Sequence, residues 1–191
     1  MTNFGLVCLT SPQCKTKISF RTVRLADVTQ DRLVSVYRDN VLTLRKALVF
    51  CLDVLGTRLY RMPSNLFPWL DSGEDWIRTM AMSAFHIVSD RLRWIWAEFS
   101  DMRITTHPDQ FCVLNSDRPE VVTSSVRMLT TQAMIMDTMG LSCSPWSAIN
   151  IHGGKGARLA QLCNAVRDLP PNVRKRLTLE NDERAYSVPA L

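Results

Sequence analysis

Two histidines and a glutamate stand at the ends of short apolar runs in this chain. Arg103–Ile104–Thr105–Thr106–His107 is stopped by Pro108, Ala148–Ile149–Asn150–Ile151–His152 runs into Gly153–Gly154, and Leu177–Thr178–Leu179–Glu180 runs into Asn181–Asp182–Glu183. A proline cannot donate to a strand ladder and pushes the residue before it towards extended geometry, so His107 is presented where its strand stops. In a parallel α/β architecture the C-terminal ends of strands converge on one face and build the site there. Two imidazoles and a carboxylate suit Zn²⁺ or Mn²⁺, with the carboxylate able to bridge two ions. Such ions generate hydroxide near neutral pH and stabilise the entering and leaving oxygens of phosphodiester cleavage. If the three residues form one site, their ligand atoms fall in one small volume, and separations beyond ~8 Å would exclude it.

Other residues fall near the same strand ends. Lys155 and Arg158 follow Gly153–Gly154 and are candidate phosphate contacts, with Lys155 also a catalytic candidate beside Glu180. Gln110 and Phe111 follow Pro108 on the same rim; an exposed Phe111 could stack on or wedge between bases, whereas a buried one would close the barrel mouth. Asn65, after the second strand, and Asn181 could orient a ligand or satisfy a turn, and Asp182 and Glu183 could reach the metal or cap a following helix. His86 sits mid-helix without a companion and reads as structural.

The elements that must position these groups alternate. Phe4 to Leu9 reads as a buried strand, followed by a basic loop with Lys15, Lys17, Arg21 and Arg24. Thr29 is placed to cap a helix whose apolar face is Leu33, Tyr37, Val41, Leu44, Leu48, Cys51 and Leu55, with Gly56 as its stop. Leu59–Met62 is a second strand. Glu74 to Phe99 is a second helix with Ile77, Met80, Ala84, Ile87, Arg91 and Ile95 near one face. Pro119–Glu120 opens a third helix that ends at Gly140, and Leu159, Leu162, Val166 and Leu169 mark a fourth, stopped by Pro170–Pro171. Strands recurring every roughly 30–55 residues with helices between them argue βα units and a parallel sheet, as a TIM-type barrel or a doubly wound sheet. No G-x-G-x-x-G follows the first strand, which lowers the dinucleotide-binding version. About five βα units are visible where a closed barrel has eight.

The chain has 191 residues, 46% of them hydrophobic, enough for one core, and a single domain spanning 1–191 is expected. A net charge of +5 is compatible with a polyanionic partner. The six cysteines are widely spaced with no C-x-x-C pair, which suits reduced thiols rather than a disulfide framework. Neither a secretory leader nor a transmembrane run is legible, so no membrane role and no secretion are expected.

T-T-H-P-D-Q-F, I-N-I-H-G-G and T-L-E-N-D-E-R, in this order, resemble the UV damage endonuclease (UvdE) family. F-G-L-V-C-L, K-I-S-F-R-T and L-Y-R-M-P-S-N-L-F-P agree with it too, so the resemblance runs along essentially the whole chain. The resemblance implies an α/β fold, a TIM-type barrel similar to endonuclease IV, here with about five of eight units and hence the N-terminal two-thirds of a longer barrel. It implies divalent metal ions, commonly manganese with Zn²⁺ or Mg²⁺ as alternatives, and nicking of double-stranded DNA on the 5′ side of UV lesions to start excision repair. It makes His107, His152 and Glu180 look like metal ligands, and Gln110 and Phe111 like the pair that probes the duplex. Some relatives carry an aromatic residue and an asparagine where this chain has Leu6 and Leu9, and a histidine where it has Asn65; Asn65 is therefore a candidate DNA contact and not a ligand. No obligate protein partner is implied, and the expected location is the cytoplasm or nucleoid of a bacterium or the nucleus of a eukaryote. The rivals are a sugar-phosphate isomerase or epimerase barrel, which also sets His and Glu at strand ends, and a chain that binds DNA without catalysis because its metal site is incomplete.

Overall fold

The computed structural model describes residues 4–156 and 158–180. Asn181, Asp182 and Glu183 lie outside the described residues. The elements run in the order β1 (Leu6–Val7), α1 (Gln30–Asp53), β2 (Leu59–Met62), α2 (Asp75–Glu98), β3 (Arg103–Thr106), α3 (Pro119–Met139), β4 (Ile149–His152), α4 (Leu159–Asp168), a single turn α5 (Pro171–Arg174) and β5 (Leu177–Glu180). Short 3₁₀ turns at Leu25–Asp27 and Pro145–Ser147 add to the elements expected from the sequence.

All five strands are parallel, and they lie side by side in chain order. A doubly wound sheet reverses its strand order at a switch point, whereas a barrel adds each strand beside the last. The order here is the barrel's, and the fold is α/β with five barrel-type strands among the described residues. The seam between β3 and β4 is narrow, with Thr106 opposite Ile149 and the Thr106 N–H donating to Ala148 O at 2.9 Å.

Because strand side chains alternate, the sheet has two different faces. Tyr60, Met62, Ile104, Thr106, Ile149 and Ile151 are buried beneath the helices, while Arg61, Thr105, Asn150, His152, Thr178 and Glu180 are half-buried on the other face. The helical layer is closed by Tyr37, Phe67 and Phe85, whose rings meet edge-on at 4.9 and 5.1 Å and tie α1 to α2. Such aromatic pairs add ~0.5–1.5 kcal/mol each beyond the area they bury. Asn40, fully buried on α1, donates to Leu66 O and Arg21 O and accepts from Arg21 N, which pins the basic loop to the segment after β2.

The Thr29 hydroxyl caps α1 by accepting from Arg32 N at 3.2 Å. Leu55 lies beyond that helix and is exposed rather than on its buried face. On α2 the buried stripe is Ile77, Ala81, Ala84, Phe85, Val88, Leu92 and Ile95. Ile77, Ala84 and Ile95 are buried as expected, whereas Ile87 and Arg91 are exposed, and the face is completed instead by Ala81, Phe85, Val88 and Leu92, one position along from those drawn. Pro119 opens α3, and Gly140 closes it in the left-handed region at φ 84°, where a side chain would be strained. His86 is exposed on α2, far along the chain from the strand ends. No helix among the described residues is long and apolar enough to cross a membrane.

Candidate metal and nucleic-acid site

His107 follows the last residue of β3, and His152 and Glu180 are the last residues of β4 and β5. In register, His152 pairs with Glu180, so both point to the same face. Their ligand atoms and those of His107 all lie within 4.8 Å of one another. One carboxylate oxygen, Glu180 Oε2, stands 3.1 Å from His107 Nε2 and 3.1 Å from His152 Nδ1. The two rings meet edge to face with centroids 4.8 Å apart.

The hydrogen bonding leaves room for a proton or a cation between the rings and the carboxylate. His107 Nδ1 lies 2.7 Å from Pro108 O, and a carbonyl only accepts, so Nδ1 carries the ring proton. In the neutral ring Nε2 then offers a lone pair directly to a carboxylate oxygen, an arrangement that needs a proton or a metal ion between them. A backbone carbonyl holding the far nitrogen is how metal-ligating histidines are oriented. Ligands ~2.0–2.2 Å from one ion lie at most ~4.4 Å apart, so the three groups fit a divalent ion with a shift of a few tenths of an ångström in the longest pair. With a proton on Nε2 as well, the hydrogen bond from His107 is the main cause that holds Glu180 below the ordinary carboxylate range, with partial burial opposing and the charge of Arg61 adding to it.

The loop after His107 is tethered from beneath and exposed at its tip. Cys112, Leu114 and Asn115 are buried, Val113 N–H donates to Ser125 Oγ at 2.8 Å, and burial pushes the Cys112 thiol up to about 11. Just before these anchors Gln110 and Phe111 project outwards, Phe111 with 71% of its surface exposed. The alternative of a Phe111 buried under the barrel mouth is thereby excluded. Asn115 gives no local signal in the sequence. Its side chain donates to Gly153 O at 3.2 Å and Lys155 O at 2.7 Å and accepts from Lys155 N at 2.9 Å. It thus clamps the turn after His152. That turn needs Gly154, at φ 74°, because a Cβ there would overlap Asn115 Oδ1.

The chain matches the model of the UV-endonuclease UvdE family over residues 2–191. It belongs to that family. It is 45% identical to the UV DNA damage endonuclease of Deinococcus radiodurans over 96% of its own length and 61% of that protein. It is 41% identical to the UV DNA damage endonuclease of Nostoc sp., over 96% of its own length and 57% of that protein. The crystal structure of SacUVDE superposes with a TM-score of 0.82 at 29% identity, over 96% of this chain and 62% of that one. The chain therefore spans about three-fifths of the length of the relatives it matches.

Two clefts flank the His107–His152–Glu180 group of this UvdE-family chain. One of about 400 Å³ is lined by Cys8, Arg61, Asn65, His107 and Gln110. The other, about 500 Å³, is lined by Gln110, Cys112, Val113, His152, Gly154 and Lys155. Gln110 borders both. Asn65 is exposed on the first cleft, which His107 also lines. Lys155 Nζ lies 3.3 Å from Asp117 Oδ2, and Arg158 pairs with the same carboxylate, which those contacts hold below its ordinary range with the Arg158 hydrogen bond as the main cause. Lys155 and Arg158 thus share one exposed acid at the rim, an arrangement invisible in the sequence. Lys15, Lys17, Arg21 and Arg24 are all exposed on the loop after β1, with Arg21 paired to Asp39.

Proposed function

We propose that this chain carries the metal-binding and lesion-probing face of an endonuclease that nicks double-stranded DNA on the 5′ side of UV lesions, with residues 1–191 forming one barrel domain. The observation that carries the reading is the convergence of His107, His152 and Glu180 on one volume at the strand ends of a UvdE-family chain. These three residues would hold the divalent ion, with Mn²⁺ the first candidate and Zn²⁺ or Mg²⁺ the alternatives. When bound, the ion supplies an activated water and charge stabilisation at a phosphodiester. The chain's own residues set up that chemistry. Pro108 O fixes the His107 ring so that Nε2 faces the site, Asn115 fixes the turn that presents His152, and Glu180 stays ionised to face both rings. Gln110 and Phe111, on their tethered tip, would enter the duplex where a lesion has already weakened stacking. Asn65 would contact the backbone from the first cleft. Lys155 lines the second cleft and Arg158 shares its acid, so both would meet phosphates at the rim, with Lys155 the nearer to the chemistry. A DNA substrate implies work in the cytoplasm or nucleoid of a bacterium or the nucleus of a eukaryote.

The test is a labelled duplex carrying one cyclobutane pyrimidine dimer, incubated with the protein and Mn²⁺. A nick directly 5′ to the dimer, abolished by EDTA and by Glu180→Gln, is the expected result. Equal nicking of undamaged duplex, or turnover of a sugar phosphate with no nicking at all, would overturn the reading.

A further inference from the structure

Arg61 is the third residue of β2, in register with Val7 of β1 and Thr105 of β3. Alternation puts it on the half-buried face of the sheet, the face to which His107 belongs two residues beyond Thr105. It lines the cleft that His107, Asn65 and Gln110 share.

Three other arginines that are half-buried or buried use their Nε. The Nε of Arg103 donates to Trp146 O, that of Arg127 to Asp71 O and that of Arg176 to Ser142 O. Arg61 Nε is buried and has no partner among the described residues. Among those residues, too, no carboxylate comes within ion-pair distance of the Arg61 guanidinium. A guanidinium is always charged and presents its N–H groups in a planar fork that matches phosphate oxygens. The Nε itself is shut off from solvent, so it is the terminal nitrogens of this unpaired guanidinium, on the wall of a cleft beside a metal-type group, that suit an anionic oxygen delivered by a ligand.

We propose that Arg61 is a phosphate-binding residue of this site, receiving the phosphodiester of the DNA backbone that lies next to the His107–His152–Glu180 group. The inference rests on the endonuclease reading above and adds a residue to it. Arg61 fixes where the backbone sits between the β1–β2 cleft and the strand ends, while Gln110 and Phe111 engage the bases. A small sugar phosphate offers the same oxygens, so the experiment separates the two sources.

Binding is measured by fluorescence anisotropy in EDTA, so that neither metal occupancy nor turnover enters. Wild type, Arg61→Gln and Arg61→Lys are compared on two dimer-containing duplexes. One is unmodified, and the other carries a neutral methylphosphonate at the phosphodiester 5′ to the dimer. Arg61→Gln should weaken binding to the unmodified duplex about tenfold, the order expected for one charge-assisted contact. It should also reduce the slope of log affinity against log salt by about 1. Arg61→Lys should recover part of the loss. On the methylphosphonate duplex wild type and Arg61→Gln should bind equally. Unchanged binding by Arg61→Gln, or an equal loss on both duplexes, would overturn this inference while leaving the endonuclease reading intact. A wild type that binds ribose 5-phosphate through Arg61 but binds neither duplex would overturn both.

Discussion

Two arginines mark the two ends of the same sheet. Arg176 stands just before β5, at the N-terminal end of the strands, with its side chain fully buried and its donors filled. Nη1 meets Asp137 Oδ1 at 2.6 Å, Nη2 meets Leu141 O at 2.8 Å and Nε meets Ser142 O at 3.1 Å. Arg61 stands near the C-terminal end of β2, with a buried Nε that meets nothing among the described residues. A buried charge is tolerated when every donor is paired, and a buried donor without a partner costs about 1–3 kcal/mol, more for a charged group. The arginine at one end of the sheet thus serves rigidity, while the one near the other end keeps a nitrogen without a protein partner among the described residues. In parallel barrels the N-terminal face holds structure and the C-terminal face holds chemistry, and here one residue type shows both uses.

The two arginines should differ most in stability. Arg176→Ala removes the fully buried partner of a half-exposed Asp137, which keeps Asn172 Nδ2 as a donor, and takes a donor from the carbonyls of Leu141, Ser142 and Asn172, so unfolding in urea should show a loss of about 2–3 kcal/mol. Arg61→Gln in the same melt should change stability by less than ~0.5 kcal/mol or raise it, because the Arg61 guanidinium holds so little of the fold together. A large loss at Arg61 would make it a structural residue and break the contrast. The next effect belongs to the exposed tip. Phe111→Ala should weaken binding to a dimer-containing duplex by about 1–3 kcal/mol, the value of one stacked base, and weaken binding to intact duplex less, with Gln110→Ala acting in the same direction. Equal losses on the two duplexes would make the tip a general part of the rim.

The fold was legible in the sequence where local chemistry decides the structure. Leu59–Met62 and Leu177–Glu180 occupy the expected strand spans, Thr29 caps its helix, and Pro119 and Gly140 bound theirs. The strand ending at His107 stops one residue earlier, at Thr106, and the first strand is reduced to Leu6–Val7. The three groups His107, His152 and Glu180 were legible because each ends an apolar run, a signal carried by the immediate neighbours. The residues that were not legible take their partners from distant segments. Asn115 acts on Gly153 and Lys155, and Arg176 gathers Asp137, Leu141 and Ser142. Arg61 could be placed on a strand from its pattern, yet its open Nε depends on what the neighbouring strands fail to supply. The α2 stripe was right at Ile77, Ala84 and Ile95 but wrong at Ile87 and Arg91, because apolar residues occur on both sides of the true face and local pattern alone does not choose between them.

Everything proposed for the C-terminal end of this sheet depends on its being a divalent-metal site built on His107, His152 and Glu180. The most direct test is a Mn²⁺ titration followed by electron paramagnetic resonance on wild type, His107→Ala and Glu180→Gln, each checked for an unchanged melting transition. Wild type should bind Mn²⁺, and each variant should bind it at least ~100-fold more weakly, since changes to groups merely supporting a ligand already cost ~10–100-fold. Binding of equal strength in all three proteins, or none by the folded wild type, would contradict the assignment.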